Sequence, residues 1–300
     1  ELDELDNSTT AATPCEEYYS NNNNNSLSAV QQLNPDSPHF TDQEIKLLRD
    51  WTTTDKRVAG ASWQKMVIRK EYQSYVTDKP VTILKGGRQG RLVRTNGIID
   101  GPIDSVLEAA LSIQYRQEID DRIMITEQLA YIPGTKQNKY AVTIIRATIS
   151  PRFVTPREFV MSATVIKETV PSTGLKRYIS FRKAINWRTS DDLSSDSNSS
   201  GGGGNSSSGY SSGSGKKEKK MVRAEHVGVH VFEQVNEEDT KTRYIDFHYA
   251  DMKGSIPVWL VNMSLKHQGK SFHEGTKYSV RRLMEDTDGK GGKLNNMQQV

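Results

Sequence analysis

Cysteine is all but missing from this chain: one residue, Cys15, in 300. That excludes an intramolecular disulfide and any cysteine-based metal site, and it fits a reducing, cytoplasmic setting. Long apolar runs are missing too. No stretch approaches the ~18 consecutive apolar residues that cross a bilayer, and the N-terminus has neither the basic start nor the apolar centre of a secretory signal. Membrane contact is therefore expected to be peripheral and transient. Apolar side chains are scarce overall, 34% of residues with a mean hydropathy of -0.68, too few to make one compact globule of the whole chain. Charge of one sign is not in excess: a net +3 with a pI near 8.7 names no partner by itself. The chain starts at Glu1 rather than methionine, as expected of a segment of a longer protein.

What is present divides by composition. Residues 1–39 are acidic and rich in Asn and Ser, including the run from Asn21 to Asn25; residues 193–217 are mostly Ser and Gly; residues 285–300 are polar. None of the three can bury enough apolar area to offset the entropy of ordering, so each reads as disordered. Between them, residues 40–284 hold a core of roughly two hundred residues, the size of one domain.

Residues 40–53 read as a helix, with Thr41 as N-cap, Glu44 completing a capping box, and Ile45, Leu48 and Trp51 at helical spacing. Residues 63–76, 81–85 and 91–98 read as a three-strand meander, divided by Asp78-Lys79-Pro80 and by Gly86-Gly87. Two short helices are expected between Pro102 and Ile119. Six further strands follow, at 122–131, 139–149, 158–170, 176–188, 221–235 and 242–251. In the fourth of these, Ile179, Phe181, Ile185 and Trp187 share one face, and Tyr178, Ser180, Arg182 and Asn186 the other. After Gly254, the residues Ile256, Trp259, Leu260, Met263 and His267 mark one face of a long helix reaching about Met284. Pro257 sits in its opening turn, and Gly269 is expected to mark a bend.

Three motifs stand out: Arg157-Glu158-Phe159-Val160, Met221-Val222-Arg223-Ala224-Glu225-His226, and the run from Asp251 to Asn262 that leads into the last helix. They resemble segments of the START (StAR-related lipid transfer) family, with glutamate replacing the aspartate of the family's Arg-Asp-Phe-Val. The order of elements is similar to that of the family as well. The resemblance implies an α+β helix-grip fold: a curved antiparallel sheet of about nine strands wrapped around a long C-terminal helix, enclosing an internal lipid cavity.

On that resemblance, Val142, Ile144, Phe159, Met161, Val227, Val229, Phe247, Trp259 and Met263 line the cavity, although each would serve equally as an ordinary core residue. Residues 150–156, bracketed by Pro151 and Pro156, correspond to an omega loop that covers the lipid entrance in the family. Phe153 and Val154, with Ile256, are therefore candidates for a gate and for membrane contact; the alternative is that Phe153 and Val154 fold inward onto the last helix. Arg157 and Glu158 would anchor the loop by an ion pair. Lys216-Lys217-Glu218-Lys219-Lys220 either draws the domain to anionic membranes, at about 1 kcal/mol per charge, or is simply solvated.

Arg116 and Asp120 lie four apart, within reach of each other on a helix, and match an arginine and an aspartate with which family members hold the polar end of the lipid. A purely structural pair is the alternative. Arg146 shares a strand face with Tyr140, Val142, Ile144 and Thr148, the face expected to form the interior. A guanidinium buried there has to meet either a lipid phosphate or carboxylate, or an internal carboxylate such as Asp120 or Glu225. The positions that cage choline in the family fall on Arg146, Phe159 and Val227, and one aromatic of three argues against choline. The charged pair inside sterol-carrying members matches the uncharged Ile144 and Ala163.

Enzymatic chemistry finds little support. His226, His230, His248, His267 and His273 lack tight zinc spacings, and no nucleophile elbow or phosphate-cradling glycine loop precedes a helix, so no catalytic residue, metal or cofactor is expected. Nucleic acid is not an expected partner, since the single Lys cluster adjoins low-complexity sequence. The expected function is binding of a single lipid, phospholipid or sterol-like, by a monomer, and its transfer between membranes. The alternative is a lipid-sensing regulatory module of a larger protein.

Overall fold

The computed structural model describes residues 32–53, 58, 60–112, 118, 122–150, 154–187, 221–254, 256 and 258–289, and within the last of these the side chains from 267 to 286. Helix α1 (Asp42–Thr53) begins with the capping box that the sequence predicts. The Glu44 amide donates to the Thr41 hydroxyl at 3.1 Å, and the Thr41 amide donates back to the Glu44 carboxylate at 2.9 Å. The same carboxylate takes the fully buried Lys183 ammonium at 2.8 Å, so one residue both starts the helix and fastens it to the sheet.

Nine strands follow: β1 (Trp63–Ile68), β2 (Tyr72–Thr77), β3 (Leu92–Asp100), β4 (Ile123–Ile132), β5 (Val142–Ile149), β6 (Arg157–Thr169), β7 (Lys176–Ala184), β8 (Val222–Gln234) and β9 (Lys241–Asp251). Helix α2 (Ile103–Leu111) lies between β3 and β4, and helix α3 (Val258–Gly289) follows β9. The strands make one sheet in the order β1-β2-β3-β9-β8-β7-β6-β5-β4, every neighbour antiparallel. Beyond the end of β7, β6 pairs directly with β8, Arg157 to Phe159 against Val222 to Ala224, which draws the curved sheet in upon itself.

Several boundaries differ from the sequence reading. The stretch 63–76 is two strands, because the charged triplet Arg69-Lys70-Glu71 turns the chain and the Arg69 amide donates to the Tyr72 carbonyl at 2.9 Å. Residues 81–85 form only isolated bridges, Val81 with Gly90 and Leu84 with Leu33. The segment 33–39, expected to be disordered, is part of the domain: Leu33 is fully buried, and the carbonyls of Pro35, Pro38 and His39 accept hydrogen bonds from Asn186, Ser162 and Lys183. Helix α3 continues through Gly269 to Gly289, past the Met284 end that the sequence indicated. The tails before residue 32 and after 289 and the insertion 193–217 lie outside the described residues, as does the second of the two short helices expected before Ile119.

The two faces of the sheet pack against different partners. On the outer face, Trp51 of α1 stacks on Phe247 with ring centroids 5.8 Å apart, and Phe40 meets Phe181 at 6.4 Å. Leu33, Ile45 and Leu48 complete this core with Val142, Ile144, Val160, Val227 and Val229. On the inner face, Phe272 of α3 stacks on His230 at 5.3 Å and packs on Tyr244 at 5.2 Å, while Val280 joins Ile103, Val106 and Ala109 of α2 over Tyr178 and Phe232. Among the described residues no helix is long and apolar enough to cross a membrane.

Candidate functional site

Strand register turns alternation into rows that run across the inner face. One row is aromatic: Tyr72, Gly97, Tyr244, Phe232 and Tyr178 stand opposite one another on β2, β3, β9, β8 and β7. Gly97 has to be glycine here, since a Cβ would come within 2.7 Å of the Tyr244 ring. Burial pushes the Tyr244 phenol well above its ordinary range, and burial together with the hydrogen bond to Asp104 takes Tyr178 up to about 12.

One row further on, Ser74, Thr95, Asp246, His230 and Ser180 are direct partners across the same five strands, and all five are buried. Ser74 and Thr95 share a hydrogen bond of 3.1 Å, and His230 Nδ1 lies 3.1 Å from Asp246 Oδ1. The next row carries Val93, His248, Gly228, Arg182, Ala163, Thr143 and Tyr131 across β3, β9, β8, β7, β6, β5 and β4. His248 Nδ1 lies 2.9 Å from His226 Nε2, and the His226 ring leans over the bare Gly228, where a Cβ would meet it at 2.8 Å. The Thr143 hydroxyl is buried with no hydrogen-bond partner among the described residues.

Past these rows the wall turns apolar again. Phe159, Met161 and Ala224, with the half-buried Ala147, Ile149 and Met252, form a third cluster, separate from the α1 core and from the α2–α3 core. It lies beside the segment leading into α3. Arg157 ties that segment to the loop before β6: its Nε donates to the Met252 carbonyl at 2.7 Å, its Nη2 to Lys253 at 3.3 Å, and its Nη1 to Thr155. Lys253, at φ 51°, reaches Glu225 at 2.9 Å and Asp251 at 3.0 Å. Along the strands the inner face is thus aromatic at one end, polar in the middle and apolar at the other, beside the lead into α3.

Human STARD10 superposes with a TM-score of 0.56 at 13% identity, over 83% of this chain and 83% of that one. Human StAR-related lipid transfer protein 5 superposes at 0.54 with 15% identity, over 80% of this chain and 95% of that one. The chain has a START-like helix-grip fold. No family model and no curated protein matches it by sequence. At these identities the START likeness concerns the fold alone.

Within this START-like fold, five residues expected to line the cavity turn the other way. Val142, Ile144, Val227, Val229 and Phe247 belong to the outer face and pack under α1. They share one phase of the alternation, and the helix against that phase is α1, not α3. Phe159 and Met161 are on the inner phase, in the third cluster with Ala224 and Met252. Arg146 is on the outer phase too, opposite Val160, and pairs with Glu127 and, at 3.9 Å, with Glu158. The internal-carboxylate alternative therefore describes it, with Glu127 and Glu158 as carboxylate partners, and its expected interior position is corrected. Arg157 and Glu158 do not pair with each other: alternation sends Arg157 to the carbonyls of Met252, Lys253 and Thr155 and Glu158 to Arg223 and Arg146.

Val154 and Ile256 are half-buried. Phe153, Arg116, Asp120 and the side chains of Trp259 and Met263 lie outside the described residues, as does the basic run 216–220. Sequence reasoning did not nominate Thr143, Arg182, His230 or Asp246. The signal for Arg182 was present, since it shares a phase with Tyr178 and Ser180 opposite the apolar Ile179 and Phe181.

Proposed function

We propose that this chain encloses a single lipid, phospholipid or sterol-like, between the inner face of the sheet and α3, and carries it between membranes without covalent chemistry. The observation that supports this most is the third apolar cluster, Phe159, Met161, Ala224, Ala147, Ile149 and Met252, which belongs to neither packing core and stands at the end of the inner face beside the lead into α3. Apolar area hidden from water is worth about 25 cal/mol per Å², so a lipid tail laid along such a wall gains its affinity without directional contacts. The human StAR-related lipid transfer protein among the superposing structures supports the same reading. Entry and exit would use the loop before β6 and the start of α3, with Phe153, Val154 and Ile256 meeting the membrane. The carrier would act as a cytoplasmic monomer that touches membranes transiently.

Liposome-to-liposome exchange of a fluorescent phospholipid and a fluorescent sterol, with native mass spectrometry of the purified protein, tests the proposal. Exchange that grows with time beyond one lipid per protein supports the carrier. Stoichiometric uptake without exchange favours the sensing module instead, and the absence of bound lipid in both assays overturns the lipid-binding reading.

A further inference from the structure

We infer that the ligand lies along β5 and β6, to one side of the seat of α3, and that it is an acyl lipid whose anionic head, a phosphate or a carboxylate, rests in a hollow at Thr143 and Lys167. This rests on the lipid-binding reading above and names the lipid class and its place. Packing fills the other side of the inner face: Phe272 of α3 lies on His230 of β8 and Tyr244 of β9, and His273 lies on Tyr72 of β2. At Gly269 not even a Cβ fits above Ser74 and Thr95. On β5 and β6 the inner phase is different. Ala147, Ile149, Ala163 and Val165 are only half-buried, and Phe159, Met161, Ala163 and Val165 follow one another along β6 as an apolar track. At about 3.3 Å per residue the track from Phe159 to Val165 is about 20 Å long. That is enough for one acyl chain, which spans about 15 Å, half the hydrocarbon core of a bilayer.

Where the track ends, a hollow of about 350 Å³ opens, lined by Tyr131, Lys139, Thr143, Ala163, Val165 and Lys167 among others. Thr143 stands opposite Ala163, is 8% exposed, and its hydroxyl has no hydrogen-bond partner among the described residues. A buried hydroxyl left so costs free energy that a ligand oxygen can relieve. Charge decides what the head is. Among the described residues that line the hollow there are two lysines and no carboxylate. Lys139 leans toward Asp42, at 3.5 Å, whereas Lys167 makes no hydrogen bond or ion pair among the described residues. Its ammonium rests 5.6 Å from the centre of the Tyr178 ring, a face that offers no acceptor oxygen to the ammonium donors. Asp104, the carboxylate bonded to the Tyr178 hydroxyl at 2.5 Å, is already paired with Lys176 at 3.0 Å. A sterol brings a single hydroxyl, which could meet Thr143 but leaves Lys167 without a counter-charge; an anionic head supplies both.

The test incubates the full chain with three sets of phosphatidylcholine vesicles, doped with phosphatidic acid, with oleic acid or with cholesterol. Protein is separated from vesicles at raised salt, so that surface attraction does not count, and bound lipid is identified by native mass spectrometry. The wild-type protein is expected to enrich phosphatidic acid or oleic acid at least tenfold over both phosphatidylcholine and cholesterol; the arm that shows it tells phosphate from carboxylate. Lys167→Gln, at an exposed position, is expected to cut this enrichment severalfold while total lipid uptake is kept. Thr143→Val keeps the shape and removes the unpartnered hydroxyl, so without lipid it should be at least as stable as the wild type, yet bind the enriched lipid severalfold more weakly. The preferred lipid of the two, carrying a diazirine in its acyl chain, is expected to label residues 145–149 and 159–165 on photolysis. Wild-type protein that takes up lipid without preferring the anionic species overturns the inference whether or not a variant folds. So does an unchanged preference in Lys167→Gln, or labelling confined to β2, β3 and β9. Wild-type protein that takes up no lipid from any set overturns the lipid-binding reading itself, and this inference with it.

Discussion

Gly269 of α3 lies directly over Ser74 of β2: a Cβ placed on this glycine would stand 2.0 Å from the Ser74 Oγ and 2.7 Å from the Thr95 Oγ1. The helix backbone thus rests on the two hydroxyls that begin the polar row, and the glycine serves a close approach, where the sequence pointed to a bend. Two effects of opposite sign meet at this position. Helix propensity favours alanine over glycine by about 1 kcal/mol, whereas forcing an extra methyl into a filled contact costs about 1–3 kcal/mol. With both obstructing atoms fixed in strand interiors, the second effect should win. Gly269→Ala is expected to lower the urea-unfolding free energy by about 1 kcal/mol or more. Adding Ser74→Ala removes the hydroxyl but leaves the serine Cβ at 3.2 Å, so the double variant should recover part of the loss. A single variant more stable than the wild type would show that α3 does not seat here.

Arg146→Gln separates the two faces of the sheet. The guanidinium pairs with Glu127 and Glu158 on the outer face, and Glu158 is nearly fully buried. Removing one member of a buried ionic cluster leaves a carboxylate poorly compensated, a loss of about 3 kcal/mol or more, softened here because Arg223 still holds Glu158. The expected result is a drop of about 1–3 kcal/mol in unfolding free energy, with the composition of bound lipid unchanged. A change in lipid preference without a loss of stability would mean that Arg146 reaches the cavity after all.

How far the sequence could be read depends on which physical signal carried each feature. Capping and helical spacing fixed α1 to within its first turn, because the Thr41–Glu44 box is a local interaction. Alternation sorted the residues of β7 correctly into two sets, Ile179 and Phe181 against Tyr178, Ser180 and Arg182. It could not say which set meets α1 and which meets α3, because that depends on partners distant in the chain. The more apolar set suits a cavity for lipid on composition alone, yet it is the one used for permanent packing under α1. The face left for a ligand is the mixed one, where histidines, serines and an aspartate are affordable because they bond across strands. Leu33 escaped notice for a similar reason: one apolar residue in a polar tail has no periodicity, and only its bonds to Ile83 and Lys85 reveal its place.

His273 sets a pH limit on the grip of α3. It is fully buried, its Nδ1 lies 3.0 Å from the Tyr244 hydroxyl, and its ring packs between Tyr72 and Tyr244. Burial holds its pKa below the ordinary 6.5, an effect larger than the pull of Glu274 and Glu71 in the other direction, and Lys277 lowers it further. In the unfolded chain the imidazole takes its proton near the ordinary value; in the folded one it stays neutral to lower pH. Between those two values the unfolded state binds more protons, so stability falls as pH falls, and above the ordinary value the group has no effect. Unfolding free energy is expected to decline from about pH 6.5 downward by up to roughly 1.4 kcal/mol per pH unit. His273→Gln should flatten this decline relative to the wild type when both are titrated by chemical denaturation from about pH 7.5 to 5. Parallel curves for the two proteins would refute the assignment.

Arg157 fastens the lead into α3 by holding backbone rather than side chains. Its guanidinium donates to the carbonyls of Met252, Lys253 and Thr155, so a single residue at the start of β6 fastens both the loop before it and the lead into α3. Burial lowers its pKa, but an arginine remains ionised, so each contact is a charge-assisted bond worth about 1.5–3 kcal/mol. The bonds act on a segment that carries Lys253 and Gly254 at positive φ, 51° and 70°, a backbone shape that does not hold itself. Arg157→Met, which keeps much of the apolar stem and removes the donors, is therefore expected to raise amide exchange in residues 251–258 more than in β7 or β8. Global stability should fall by about 2 kcal/mol. If lipid enters where we propose, dissociation of a bound fluorescent lipid should accelerate severalfold in the same variant. Faster exchange of the segment with unchanged lipid dissociation would place the exit route elsewhere, away from the Met252 end of the wall.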